Sequence, residues 1–166
     1  MNQQRHRQLV IGVMGAAQCD EKTYREAVEV GQLIARSGAV LLCGGGTGVM
    51  EAAAQGAKSE GGLTIGIMPG SNERESPPNP FIDVAIFTGM SDARNAINAS
   101  SSDVIIAVGG GFGTLSEIAL ALKIGKPVVL LHSWRFEIEP PVSMANVHRA
   151  ETPAEAVTLA LQLAKS

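Results

Sequence analysis

Two stretches of this chain put glycines where an oxyanion could be held. Residues 41–51 read L-L-C-G-G-G-T-G-V-M-E and residues 106–117 read I-A-V-G-G-G-F-G-T-L-S-E. Each runs from apolar residues into three glycines, one free position, a further glycine and a segment of helical character. The first amides of a helix have no internal acceptor and carry about half a positive charge, and residues without Cβ let an anion approach them closely. The candidate anion-binding residues are therefore Gly44, Gly45, Gly46, Thr47 and Gly48 in one loop. In the other they are Gly109, Gly110, Gly111, Phe112, Gly113 and Thr114, whose hydroxyl adds a donor near the first helical turn.

Other residue types add to this chemistry. Glu117 falls one helical turn into the second segment, where its carboxylate could accept from hydroxyls or ring nitrogens or act as a base. Arg94 and Asn95 belong to a Gly-Met-Ser-Asp-Ala-Arg-Asn run, residues 89–95, and a guanidinium suits bidentate phosphate recognition. Gly15 and Ala16 end the first apolar run. Neither loop is a G-x-G-x-x-G fingerprint, because Val49 and Thr114 stand at the third glycine, and neither continues as a P-loop. Kinase-like and nicotinamide-dependent chemistry are disfavoured. Cys43 abuts the first loop but reads as a small buried hydrophobe, so it is left out of the site. His6, His132 and His148 are far apart, and no Cys/His/Asp cluster has metal-ligand spacing, so no protein-ligated metal is expected. Ser100-Ser101-Ser102 reads as a turn, and Trp134 as either a pocket wall or an interface residue.

The elements that must position these residues follow from periodicity. Apolar runs at 8–14, 39–43, 63–68, 81–87, 103–108 and 127–132 show little in-out alternation, which suits strands covered on both faces. Helical segments lie between them at 21–37, 47–60, 91–102 and 112–124, with a last amphipathic helix opened by Pro153 and running to Ala164. This alternation predicts an α/β fold with a doubly wound parallel sheet of about six to seven strands. In the common order 3-2-1-4-5-6, the strands at 8–14 and 81–87 flank the switch point, and the two glycine loops sit symmetrically about the crevice. The proline-rich segments 69–80 and 133–143 are predicted to be irregular, either lids or, as the preferred reading, surface detours.

Length and charge narrow the function classes. The 166 residues suffice for one domain spanning 1–166, with residues 1–7 expected as a flexible, solvated tail. A net charge of −3 lacks the basic excess of a nucleic-acid binder. No apolar run approaches the roughly 20 residues of a membrane span, and two cysteines without a leader pattern point to a cytoplasmic protein.

Gly110-Gly111-Phe112-Gly113-Thr114-Leu115-Ser116-Glu117 resembles the P-G-G-x-G-T-x-x-E signature of the Lonely-Guy-type phosphoribohydrolases, often labelled lysine decarboxylase-like. Residues 44–51 and 62–69 extend the similarity, so that it covers most of residues 9–132. The resemblance implies a Rossmann-like fold and homo-oligomers, dimers or tetramers, built through helix packing. In those enzymes an arginine and the signature glutamate act on the N-glycosidic bond of a nucleoside 5′-monophosphate. Glu117 matches the glutamate, and Arg94 is the nearest match to the arginine. The enzymes carry M-x-x-R-K, whereas here three residues separate Met90 from Arg94 and Asn95 replaces the lysine.

The 90–96 segment, the run 117–123 and Gly109 in place of the signature proline are more similar to a sister branch, the molybdenum cofactor carrier proteins. That resemblance implies a bound pterin phosphate, molybdopterin with its metal, held by the glycine loops, Gly15, Ala16, Arg94, Asn95 and Glu117 and by no protein metal ligand. The carrier is the preferred expectation, with no catalytic residue. The alternatives are a hydrolase using Arg94 and Glu117, and a nucleotide-sensing module.

Overall fold

The computed structural model describes residues 7–165. Strands and helices alternate: β1 Val10–Gly15, α1 Glu21–Arg36, β2 Val40–Cys43, α2 Val49–Ser59, β3 Thr64–Met68, β4 Val84–Phe87, α3 Arg94–Ser101, β5 Val104–Val108, α4 Phe112–Lys123, β6 Val128–Leu131, β7 Val147–Ala150 and α5 Pro153–Leu163. A single 3-10 turn at Ser91–Ala93 leads into α3. The seven strands form one parallel sheet, and the fold is the doubly wound, Rossmann-like α/β architecture. On one face α1, α2 and α5 bury Ala27, Val30, Ile34, Ala53, Ala57 and Ala160. On the other, α3 and α4 bury Ala99, Ile118 and Ala121 against Met14, Ile105 and Leu130. Every residue of β5 is buried, which explains its unbroken apolar sequence.

The helices start where side chains permit. Asp20 caps α1 by accepting from Thr23 N at 2.8 Å, and Thr152 caps α5 by accepting from Glu155 N at 3.2 Å. α2 and α4 begin at Gly48 and Gly111 and have no side-chain cap.

The strand order is β4-β3-β2-β1-β5-β6-β7, which corrects the expected 3-2-1-4-5-6. The strand at 81–87 pairs with β3 at the sheet edge, and β5 takes the place beside β1. The cause is the segment 69–83, which brings the chain back parallel to β3 on its open side without a helix. α3 then crosses over β3 and β1 to deliver β5. As an edge strand β4 leaves Val84 and Ile86 exposed, unlike the two-sided burial expected of every strand. β7, Val-His-Arg-Ala, has no apolar run and gave no periodic signal.

Two smaller differences concern polar residues. Ser100 and Ser101 close α3 as helix, and Ser102 donates to Asn98 O at 2.8 Å. Of the basic run 5–7, Arg5 and His6 lie outside the described residues, and Arg7 pairs with Asp103.

Candidate functional site

The switch point lies between β1 and β5, whose register pairs Gly15 with Val108 and so levels the loops that follow them. A cleft of about 310 Å³ opens there, lined by Gly15, Ala16, Ala17, Met50, Asp92, Arg94, Asn95, Gly111, Gly113, Thr114 and Glu117. It brings together eight of the sequence-selected residues: Gly15, Ala16, Arg94, Asn95, Gly111, Gly113, Thr114 and Glu117. Gly44 to Gly48, Gly109, Gly110 and Phe112 do not line it.

The second glycine loop is open toward this cleft. The first intrahelical bond of α4 runs from Leu115 N to Gly111 O at 3.0 Å, so the amides of Phe112, Gly113 and Thr114 precede the ladder. A Cβ built on Gly111 or Gly113 would meet nothing within 4 Å, and Gly111 has φ −107°. Neither position needs glycine for packing or for a left-handed backbone. What the missing side chains provide is room at a positively polarised helix end.

The first glycine loop is closed. A Cβ on Gly45, at φ +73°, would lie 2.3 Å from Met68 Sδ, and one on Gly48, at φ +65°, 2.4 Å from Ala16 O. The Met50 side chain covers Gly44 and Gly46. The first amide of α2, Val49 N, donates to Ala16 O at 3.1 Å, and Thr47 Oγ1 donates to Ala17 O at 2.9 Å. Arg94 Nη1 donates to the carbonyls of Gly44 and Ile67. Asn79 Nδ2 donates to Gly45 O at 3.3 Å and Gly46 O at 2.8 Å. This loop is therefore turned inward, with its carbonyls on Arg94 and Asn79 and its open side filled by methionine. The sequence pattern of the two loops is the same, and their surroundings differ.

Glu117 is only 6% exposed on the floor of the cleft. Its Oε1 accepts from Asn98 Nδ2 at 2.7 Å. Burial pushes its carboxyl up to about 7, against the opposing pull of the Asn98 hydrogen bond and the Arg94 charge. Asn95 donates from Nδ2 to Ser116 Oγ at 2.9 Å, a second tie between α3 and α4. Cys43 is fully buried and accepts from Gly45 N at 3.3 Å, and burial pushes its thiol up to about 11. Among the described residues no group of three His, Cys, Asp or Glu side chains is placed to hold a metal ion, and no helix is long and apolar enough to cross a membrane.

The family model that matches this chain, the SLOG cluster4 family, spans residues 8–159. The chain belongs to the SLOG cluster4 family. A protein of Archaeoglobus fulgidus with no assigned function is 52% identical to this SLOG cluster4 chain over 89% of it and 91% of the relative. The molybdenum cofactor binding protein from the phototrophic bacterium Rippkaea orientalis superposes with a TM-score of 0.83 at 43% identity, covering 95% of this chain and 98% of that one. The molybdenum cofactor carrier protein of Chlamydomonas reinhardtii superposes with a TM-score of 0.81 at 40% identity, covering 96% and 100%. The cytokinin riboside 5′-monophosphate phosphoribohydrolase of Mycobacterium tuberculosis is 35% identical over 65% of this chain, which spans only 62% of the enzyme.

Sequence reasoning missed several residues that shape the site of this SLOG cluster4 protein. Asn98 is fully buried and holds Glu117, and its spacing of four from Arg94 on one helix face is a signal that could have found it. Met50 has the same kind of signal, two residues after Gly48 at the start of α2. Asn79 had none, because it reaches Gly45 and Gly46 from a loop 34 and 33 residues away. The segment 69–80, read as a surface detour, therefore clamps the first glycine loop. Trp134 lines a second cavity, of about 280 Å³, with Gly109, Gly110, His132 and Ser133.

Proposed function

We propose that this chain carries the molybdenum cofactor, holding the phosphate of the pterin at the N-terminus of α4. The observation that carries the reading is the pair Gly111 and Gly113, open to the cleft beside three amides that precede the helix ladder. A terminal phosphate fits the charge of that turn and needs the space the glycines leave. Thr114 supplies a hydroxyl, and Arg94 and Glu117 line the floor on which the rest of the ligand would lie. Among the described residues no thiol or imidazole lines the cleft, so the metal would be protected by enclosure and not by coordination. Solved structures described as binding or carrying this cofactor match nearly the whole chain, which supports the reading. The carrier is proposed to work as a cytoplasmic homo-oligomer built on one domain over residues 1–166.

One observation favours a second reading. A glutamate with its pKa near neutrality, in a cleft with an arginine, suits general acid–base attack on the N-glycosidic bond of a nucleoside 5′-monophosphate. Both readings are tested by incubating the protein with AMP and related monophosphates and, separately, with molybdenum cofactor under anaerobic conditions. The carrier predicts saturable cofactor binding that survives Glu117→Gln, with no base released. Release of base that disappears in Glu117→Gln overturns it in favour of the hydrolase.

A further inference from the structure

Phe112 is 83% exposed, which is unusual for a large apolar ring. It is the first residue of α4, between the two open glycines, and its ring packs on Trp134 with centroids 5.9 Å apart and planes inclined at 38°. Trp134 is fixed in turn. Its indole N–H donates to Gly111 O at 3.2 Å, and the neighbouring Ser133 Oγ donates to Gly109 O. His132, which starts this segment, has φ +48°, a conformation rare for a residue with a side chain. The segment 132–134 is thus bent back and pinned to the glycine loop at two carbonyls. The cavity of about 280 Å³ beside Trp134 reaches Gly109 and Gly110, and the cleft of about 310 Å³ reaches Gly111 and Gly113. The two cavities adjoin along one loop: Trp134 lines the second, and Phe112 stands between Gly111 and Gly113, which line the first.

We infer that Phe112 and Trp134 form a stacking platform for a flat bicyclic nitrogen heterocycle, a pterin or a purine, on a ligand whose phosphate sits at the N-terminus of α4. The inference rests on the anion site proposed above and adds the element that reads the ligand's ring. Three facts converge on it. A rigid aromatic face next to an anion site is what a phosphorylated heterocycle presents a use for, because stacking is tolerant of ring identity and is strengthened by preorganisation. The hydrogen bonds to Gly109 and Gly111 fix the platform relative to the amides that would bind phosphate. The exposed ring has no other packing role, since no core cluster contains Phe112, whereas Trp134 also borders the α3–α4 core.

The test uses the full chain, in which Trp134 is the only tryptophan. Binding of AMP, a pterin monophosphate and the ring-free ribose 5-phosphate is measured by calorimetry, and indole emission is followed with AMP. Adenine absorbs at shorter wavelengths than indole emits, so quenching by AMP is not energy transfer, and ribose 5-phosphate controls for any change caused by the phosphate alone. The platform predicts saturable quenching by AMP, none by ribose 5-phosphate, and about tenfold weaker binding of both ring-bearing ligands in Phe112→Ala and Trp134→Leu, with ribose 5-phosphate unchanged. The ratio of pterin to AMP affinity identifies which heterocycle it serves. Equal losses for ring-bearing and ring-free ligands overturn the platform and leave the anion site standing. So does a Phe112→Ala chain that changes only its sedimentation, which would assign the ring to contact with a second copy. Failure of every phosphate to bind removes the anion site, and the platform falls with it.

Discussion

Glu117→Gln gives a quantitative test of how desolvated the cleft is. Burial raises the Glu117 carboxyl from the ordinary 4.5 to about 7 in the folded chain. Each tenfold in a protonation equilibrium corresponds to about 1.4 kcal/mol, so an ionised Glu117 lowers folding stability by about 3 kcal/mol relative to a protonated one. The sign follows from the direction. The folded state holds the proton more tightly, so this cost is absent below the unfolded value of 4.5, grows as pH rises toward about 7, and is level above it. Between pH 5 and pH 8 the wild-type chain should lose about 2.5 kcal/mol of unfolding free energy relative to Glu117→Gln, because the amide does not ionise. Carboxylates held low by their partners, such as Asp83 and Glu60, are common to both chains and cancel. The assay is urea denaturation of both proteins at half-unit steps of pH, with the midpoint and slope fitted together. Two stability profiles that run parallel from pH 5 to pH 8 refute the reasoning, for they would mean that Glu117 ionises as in water and that the cleft is wet. The same proton should affect ligand binding: an anion at α4 meets a neutral neighbour below pH 7 and a carboxylate above it, so phosphate affinity is expected to weaken across that range relative to Glu117→Gln, which shares the titration of the phosphate itself.

Further substitutions separate structural glycines from open ones. Gly113→Ala should leave stability within about 1 kcal/mol of wild type, and raise it if anything, while phosphate affinity drops at least tenfold, measured by denaturation and calorimetry on the same sample. Gly45→Ala should cost about 2 kcal/mol or more, because it strains φ +73° and pushes Cβ onto Met68 Sδ. Asn79→Ala should cost about 1–3 kcal/mol by orphaning the carbonyl of Gly46, while Gly45 O keeps its bond from the backbone amide of residue 79, and limited proteolysis should then cut within 69–80. Asn98→Ala removes the hydrogen bond that favours the Glu117 carboxylate, so the pH profile of stability should extend its decline beyond pH 7 and end about 1–2 kcal/mol lower at pH 8.

Much of this fold was legible because its strands are buried on both faces. Leu41, Ile67, Ile106 and Leu130 belong to nearly continuous apolar runs, and the helices between them carry clear stripes such as Ala27, Val30 and Ile34. The edges were not legible, since β7 has a solvated face and no periodic signal, and β4 gave no sign of lying at the rim. Strand order was beyond reach for a related reason. Whether the chain continues outward past β3 or returns to the centre depends on the length and rigidity of 69–83, where proline suppresses any helical pattern and no local preference encodes the destination. Of the site, the residues found by local chemistry, Thr114, Glu117 and Arg94, do meet in the cleft, whereas Asn79 and Asn98 act through partners distant in the chain.

The duplicated glycine junction shows why the same local pattern does not carry the same function. Each loop leaves a strand and opens a helix whose first amides have no partner within the helix, and each has the same run of residues without Cβ. The first lies over β2, where Arg94 and Asn79 approach its carbonyls and Met50 folds back over its glycines. Its glycines are consumed by packing, and a Cβ at Gly44, Gly45 or Gly48 would strike a neighbour closer than 3 Å. The second lies over β5, directly at the switch point, and a Cβ on its Gly111 or Gly113 would meet nothing within 4 Å. The inward turn of the first loop has a use in the second's site: its Gly44 carbonyl fixes the Arg94 guanidinium, whose charge pulls against the burial of Glu117. One loop thus holds the floor of the cleft in place and the other opens onto the cleft, a division that follows from strand order and could not follow from the glycine pattern that both share.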